Sequence, residues 1–411
     1  MQGLSTYLLF VRKNAPFLGV GALLMGLSSF GQTFFIAVFG GDIRAAFNLT
    51  NGEWGLIYMI GTMASAGAML MAGGLVDLFR VRSIGIAVVY LLGIACLGMA
   101  LNTSAAALVI VIFFLRFFGQ GMTHHVAAVA MSRWFVATRG RALATASLGF
   151  MLAEATLPLT LVWLKGFFTW QTLWIGCATF AFLITPVLYR LLRLERTPQS
   201  VSDTDDATGM DNKHWTRAQA LRHPLFWALV PAVTLFPAFG TAFWFHQVHF
   251  AEIKGWDHLN LVAVFPLGTL TFMTFTFIYG WGIDKFGAGK LFPFYLLPLC
   301  IAFTLHWYAP NIWWSAAGVM FMGMAGGGGS TLPAAIWASY YGTRNLGSIK
   351  SAVTACMVFG SAFGPGLSGW LIDIGISFDR QLLGYAATFL FASVLCVIPL
   401  RQATRRLPST T

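Results

Sequence analysis

Long apolar stretches separated by short polar loops run the whole length of this chain. Twelve stand out, at 17–40, 53–74, 83–102, 107–132, 141–164, 172–192, 224–248, 259–281, 291–309, 312–338, 351–373 and 382–400. A helix needs about 20 such residues to cross the hydrocarbon layer of a bilayer. Backbone in lipid must satisfy its own hydrogen bonds, so each stretch is predicted to be a helix, with bends where Pro158, Pro231, Pro237, Pro266, Pro298, Pro333 and Pro365 fall inside. The longest polar interruption, 193–222, reads as a linker around Thr197-Pro198-Gln199-Ser200 and as a short interfacial helix from Trp215 to Arg222. It separates an N-terminal half, 1–192, from a C-terminal half, 223–411. The expected fold is an all-α membrane protein of twelve transmembrane helices in two six-helix, pseudo-symmetric halves.

The halves repeat one another. Gly73-x-x-x-Asp77 returns as Gly280-x-x-x-Asp284, Gly140 as Gly347 and Pro158 as Pro365, all at one spacing. Phe30-Gly31-Gln32-Thr33-Phe34-Phe35 is echoed by Phe239-Gly240-Thr241-Ala242-Phe243-Trp244. Membrane-spanning repeats of this kind build secondary transporters, which rock one repeat against the other around a central site.

Composition narrows the reading. Hydrophobic residues make up 57% and charged residues 9% of the 411 positions, where a soluble domain carries roughly 25% charge. Cys96, Cys177, Cys300, Cys356 and Cys396 all lie in apolar stretches, with spacing that suits neither a disulfide framework nor a zinc site. No cleavable signal peptide is evident, because the first apolar stretch is too long and leads into a second. The net charge of +11 follows topology. Of the 25 Lys and Arg, only Arg44, Lys165, Lys254 and Arg380 fall opposite the N-terminal side, and Arg116 lies inside a span. The positive-inside rule then places both termini in the cytoplasm, and the protein is expected in the inner membrane. Nucleic acid is not an expected partner.

Asp77 and Asp284 close cytoplasmic ends of spans and are followed by basic residues, Arg80 and Arg82 in one copy, Lys285 and Lys290 in the other. A carboxylate there can face the positive N-terminal end of a neighbouring helix. Gly73, Asp77, Arg82, Gly280, Asp284 and Lys285 are therefore expected to form a gate that closes and opens the cytoplasmic side. These residues resemble the major facilitator superfamily, whose loop between spans two and three runs Gly-x-Leu-x-Asp-Arg-x-Gly-Arg-Arg. Gly73, Leu75, Asp77 and Arg82 match it, with departures at Leu78 and Arg80; the second copy keeps Gly280, Asp284, Lys285 and Gly287. The loops Arg133-Trp134-Phe135…Arg139-Gly140-Arg141-Ala142 and Tyr341-Gly342-Thr343-Arg344-Asn345-Leu346-Gly347-Ser348 are similar to the bacterial oxalate–formate antiporter and monocarboxylate-porter branch.

Two charges sit within the membrane. Arg116 falls about ten residues into the fourth span and Glu154 about a dozen into the fifth, which puts both near mid-depth at ~1.5 Å per residue. An Arg116–Glu154 pair is geometrically open to these antiparallel neighbours. Ionisable groups at such depth mark ion or substrate pathways; a permanent ion pair ordering two helices is the competing reading. On a regular helix Arg116, Gln120 and Thr123 share a face, with His124 at its edge. Ser28 and Gln32 on the first span, and Thr241 and His246 on the seventh, complete the expected solute site; the resemblance implies that both spans line the cavity. Glu154 is the candidate for proton coupling.

Relatives in the monocarboxylate branch commonly carry a charge in the eighth or eleventh span. Here 259–281 has none, and 351–373 has only Asp373 at its end. No phosphate loop, nucleophile elbow or metal-spaced cluster is present, so no cofactor or metal and no enzymatic activity is expected. The expectation is a monomeric secondary transporter of a small organic anion, a mono- or dicarboxylate, with protons as the candidate coupling ion. Efflux of an amphipathic drug or other small molecule, and a membrane sensor that binds a solute without moving it, are the alternatives.

Overall fold

Helices account for nearly all of the chain in the computed structural model, which describes residues 2–73, 75–135, 138–192 and 208–407; the side chains of Asp77 and Arg139 fall outside the described set. Residues 193–207 of the expected linker lie outside it as well. The first span is broken into α1 (Ala15–Gly31) and α2 (Thr33–Phe47), which meet at 51°. There follow α3 (Asn51–Ala72), α4 (Val81–Leu101), α5 (Ala105–Trp134), α6 (Gly140–Leu164) and α7 (Trp170–Leu192). Next come α8 (Pro224–Phe245), α9 (His258–Phe286), α10 (Ala288–Tyr308), α11 (Ile312–Tyr341), α12 (Leu346–Asp373) and α13 (Phe378–Thr404). Ten of these are long and apolar enough to cross a membrane among the described residues, eleven with the bent pair α1–α2. The 30-residue α11 covers the remaining apolar stretch, its hydropathy diluted by the Gly326–Gly329 run.

The chain packs as two units, residues 1–49 with 57–203 and residues 50–56 with 204–411. Two helix pairings recur in both. In the first, α1 packs on α6 and α4 on α7; in the second, α8 packs on α12 and α10 on α13. The device that permits the closest of these crossings is also repeated. A Cβ on Gly149 of α6 would lie 2.0 Å from the Ala22 carbonyl oxygen of α1, and one on Gly364 of α12 would lie 2.0 Å from that of Ala238 on α8. Only a glycine lets two membrane helices approach so closely. The glycine run in α11 permits a close approach as well: a Cβ on Gly327 would stand 2.6 Å from the Thr276 backbone nitrogen of α9.

The described end of the linker is fastened to the second unit. Arg406, just past α13, grips the Asp211 carboxylate with Nε at 3.0 Å and Nη2 at 2.5 Å, and its carbonyl accepts from the Asp211 N–H. The Trp215 N–H donates to the Tyr341 carbonyl, and the Asn345 amide donates to that of Trp215. The expected interfacial helix is present as Arg217–Arg222, opened by a reciprocal capping box between Thr216 and Gln219.

Candidate functional site

The break in the first span builds the site. Gln32 is extended (φ −84°, ψ 154°) between the end of α1 and the start of α2, so the regular hydrogen-bond ladder stops and carbonyls near Gly31 are released. Opposite lies an equally irregular stretch: Leu115–Thr123, inside α5, is a π-helix. Such elements concentrate at functional sites. The two irregularities interlock through glycine. A Cβ on Gly31 would lie 2.1 Å from the Leu115 carbonyl oxygen, and a Cβ on Gly119 would lie 2.6 Å from the Gly31 Cα.

Arg116 is held in this crossing. It is 2% exposed, and its Nη1 donates to the Gly31 carbonyl at 3.1 Å and to Thr33 Oγ1 at 3.4 Å. The guanidinium stands 5.3 Å from the centre of the Tyr58 ring, and the Tyr58 hydroxyl bonds Thr33 Oγ1 at 2.5 Å. Arg116 Nε is buried and without a hydrogen-bond partner. The expected pair with Glu154 is not formed. Arg116 is turned instead toward the break in the first span, where free carbonyl and hydroxyl oxygens meet the donors that π geometry aims at them. Among the described residues no carboxylate lies within ion-pairing distance of Arg116. Glu154 is half-buried in α6, one turn before Pro158. Proline has no N–H to return to the Glu154 carbonyl, so backbone and side chain both leave acceptors at that level.

The other predicted residues divide. Gln120 is half-buried beside Gly119, and Gln32 is half-buried at the break itself. Thr123 is fully buried and donates to the Phe118 carbonyl at 2.6 Å. The helical face expected for Arg116, Gln120 and Thr123 is therefore disrupted, because a π-helix advances each residue by a smaller angle than an α-helix. Ser28 is buried and donates to Met25 of its own helix. His124 meets Phe150 edge-on, ring centres 6.2 Å apart, with Nδ1 buried and unpartnered; Phe150 in turn packs on Phe34, next to Thr33. In the second unit Thr241 is half-buried. His246 caps the end of α8 at 3% exposure, its Nε2 3.1 Å from the Pro365 carbonyl and its ring packed on Phe245 and Phe378.

The loop after α3 and the last turns of α9 differ in their contacts. Next to Gly73, the His125 Nε2 stands 3.1 Å from the Gly73 carbonyl, and Arg133 donates to Val76 at 2.8 Å. Arg82 lies over the Tyr189 ring, 4.4 Å from its centre. Around Gly280, Asp284 and Lys285 are exposed, with the Lys285 ammonium over Trp281 at 4.9 Å.

Thr33, Tyr58 and the Gly31 carbonyl are the residues that sequence reasoning missed. The Gly31-Gln32 pair inside an apolar stretch was a signal for the break; nothing in the pattern around Tyr58 sets it apart.

The family model of the Major Facilitator Superfamily matches residues 21–297 and 269–409. The chain belongs to the major facilitator superfamily. It is a multi-pass membrane protein. Its fold is similar to a bacterial homolog of the human lysosomal transporter Spinster in an inward-facing, unoccupied conformation, with a TM-score of 0.71 at 15% identity over 97% of this chain and 99% of that one. It is similar also to the nucleoside transporter NupG, with a TM-score of 0.67 at 11% identity over 95% and 100% of the two chains. A curated relative, the Multidrug resistance protein B homolog of Mycobacterium tuberculosis, is 34% identical over 93 residues, which span 23% of this chain and 17% of the relative.

Proposed function

We propose that this major facilitator protein is a secondary transporter of a small organic anion, bound in its first unit at Arg116. The observation that carries the reading is a guanidinium buried in a membrane-spanning unit with Nε unpartnered and, among the described residues, no carboxylate in reach. An uncompensated cation in low dielectric is costly, and a planar donor fork of this kind matches a carboxylate with two parallel bonds. Thr33 and Tyr58 offer hydroxyls beside it, and Gln32, Gln120 and His124 add polar groups on the neighbouring turns. Mono- and dicarboxylates are the proposed solutes. Protonation of Glu154, a carboxyl without a cation partner among the described residues, couples the cycle to protons; the Gly73–Asp77 loop and the Gly280–Lys285 end of α9 act as the cytoplasmic gate. The Lys/Arg distribution supports an inner-membrane protein with both termini in the cytoplasm, and a single copy is proposed as the working unit.

A second reading, efflux of amphipathic compounds, rests on the short match to the Multidrug resistance protein B homolog. Counterflow in proteoliposomes separates the two. Labelled carboxylates are compared with their neutral amides, which match them in size, and with lipophilic cations. Exchange of acids and not of amides supports the anion site; exchange of cations or neutral compounds alone supports efflux.

A further inference from the structure

Past the π-helical stretch, α5 reaches the loop that follows α3. Gly73 lies just beyond the end of α3, where helix carbonyls have no partner within their own helix. His125 Nε2 is 3.1 Å from that carbonyl oxygen. A carbonyl can only accept, so Nε2 carries the proton and the imidazole is the donor. Two turns further along α5, Arg133 donates to the Val76 carbonyl at 2.8 Å, inside the four-residue helix Leu75–Leu78. Val76 itself is fully buried, so the loop is pinned by one apolar and two polar contacts. Arg116, His125 and Arg133 thus lie on one continuous element, with the π-helix between the first and the other two.

We propose that His125 is a positioning residue for transport, which holds the Gly73–Asp77 loop against α5 so that a change of α5 at Arg116 is delivered to the cytoplasmic side. The inference rests on the proposed gate role of that loop. Contacts to backbone carbonyls, unlike ion pairs, fix where the loop lies without depending on its side chains. A shift of the π stretch toward α-helical geometry rotates His125 relative to Arg116 and withdraws the Nε2 donor from Gly73. The loop is then released. His125 therefore acts through the loop, and no solute contact is assigned to it.

The test compares His125→Leu, His125→Gln and His125→Asn in the full-length protein in nanodiscs, without added solute. The glutamine amide nitrogen reaches the Nε2 position; the shorter asparagine amide does not, though it keeps the site polar should leucine impair folding. Deuterium exchange of the amides at 75–79 and maleimide labelling of a cysteine placed at Phe79, which is 57% exposed, are measured beside the melting temperature. Loss of one such hydrogen bond corresponds to about a tenfold rise in exchange. The expected result is that rise in the leucine and asparagine variants, with glutamine restoring wild-type protection at unchanged melting temperature. Wild-type protection in all three, or an equal rise in glutamine and leucine, overturns the proposal. Both readouts follow the loop and not solute movement, so their failure is distinct from a failure of the anion reading.

Discussion

Arg116 is a cation buried at the crossing of two broken helices, and its partners are oxygens of the backbone and of Thr33 rather than a carboxylate. That distinction has a measurable consequence. Removing one member of a buried ion pair strands the other and costs roughly 3–5 kcal/mol. With no pair to break, Arg116→Gln gives up charge-assisted hydrogen bonds worth about 1.5–3 kcal/mol each and in return relieves the burial of a lone charge. The Arg116→Gln protein is expected to melt within a few degrees of wild type, and Glu154→Gln likewise; cooperative unfolding of either at room temperature would contradict the unpaired arrangement. At this scale the sequence was only partly legible. Depth and charge singled out Arg116 and Glu154, but the pair they left open is not formed, because helical spacing assumes regular helices and both helices at the Arg116 crossing depart from regularity. Thr123 and Ser28 were chosen as polar residues on a lining face, whereas a lone hydroxyl in a membrane helix commonly bonds a carbonyl one turn back, as Ser28 does here.

Among the elements, the interlocked break and π stretch depend on glycine. Gly31 has no room for a side chain, since its Cβ would meet the Leu115 oxygen at 2.1 Å, whereas a Cβ on Gly19 of the same helix would meet nothing within 4 Å. Overpacking of this kind typically costs about 1–3 kcal/mol, while alanine replacing an unhindered helical glycine gains roughly 0.5–1 kcal/mol. Gly31→Ala should lower the melting temperature and Gly19→Ala should hold or raise it; the reverse order would show that the crossing is not tight. A second element-scale feature is the strap from Asp211 to Trp215. The Arg406 hydrogen bond holds the Asp211 carboxyl below its ordinary range, and burial, then Arg406, push His223 below the usual imidazole value. Both native pKa values are depressed, so both contributions are complete at neutral pH and are lost on acidification. The His223 contribution starts to fall below its unfolded value near ~6.5 and that of Asp211 below ~3.9. Fluorine resonance of a fluorotryptophan at Trp215, assigned by its loss in Trp215→Phe, should report strap release as pH falls. Release on raising the pH above neutral would invert the sign and refute the linkage. The apolar stretches predicted these spans well because lipid imposes both length and hydrogen-bonding rules. The break at Gln32 was marked only by the Gly31-Gln32 pair, because the wider stretch around it has the length and hydropathy of one continuous span.

For the molecule as a whole, duplication was the clearest message of the sequence, and the paired crossings at Gly149–Ala22 and Gly364–Ala238 give it a structural counterpart. The two halves have not kept the same chemistry. Arg116 and Glu154 lie in the first unit, and at the spacing of the repeat their counterparts in the second are Gly323 in α11 and Ser361 in α12, neither of them charged. The proposed solute chemistry thereby falls in one of two repeated units. The substrate itself was not legible, because it depends on a handful of side chains at irregular backbone. The most direct measurement is counterflow of a labelled carboxylate, established as exchanged by the wild type, in proteoliposomes carrying Arg116→Lys or Arg116→Gln. Lysine keeps the charge but loses the two-pronged grip, so exchange should weaken by at least tenfold in half-saturation, and glutamine should abolish it while the protein still melts cooperatively. Wild-type exchange in the folded glutamine variant would contradict the assignment of Arg116 as the anion site.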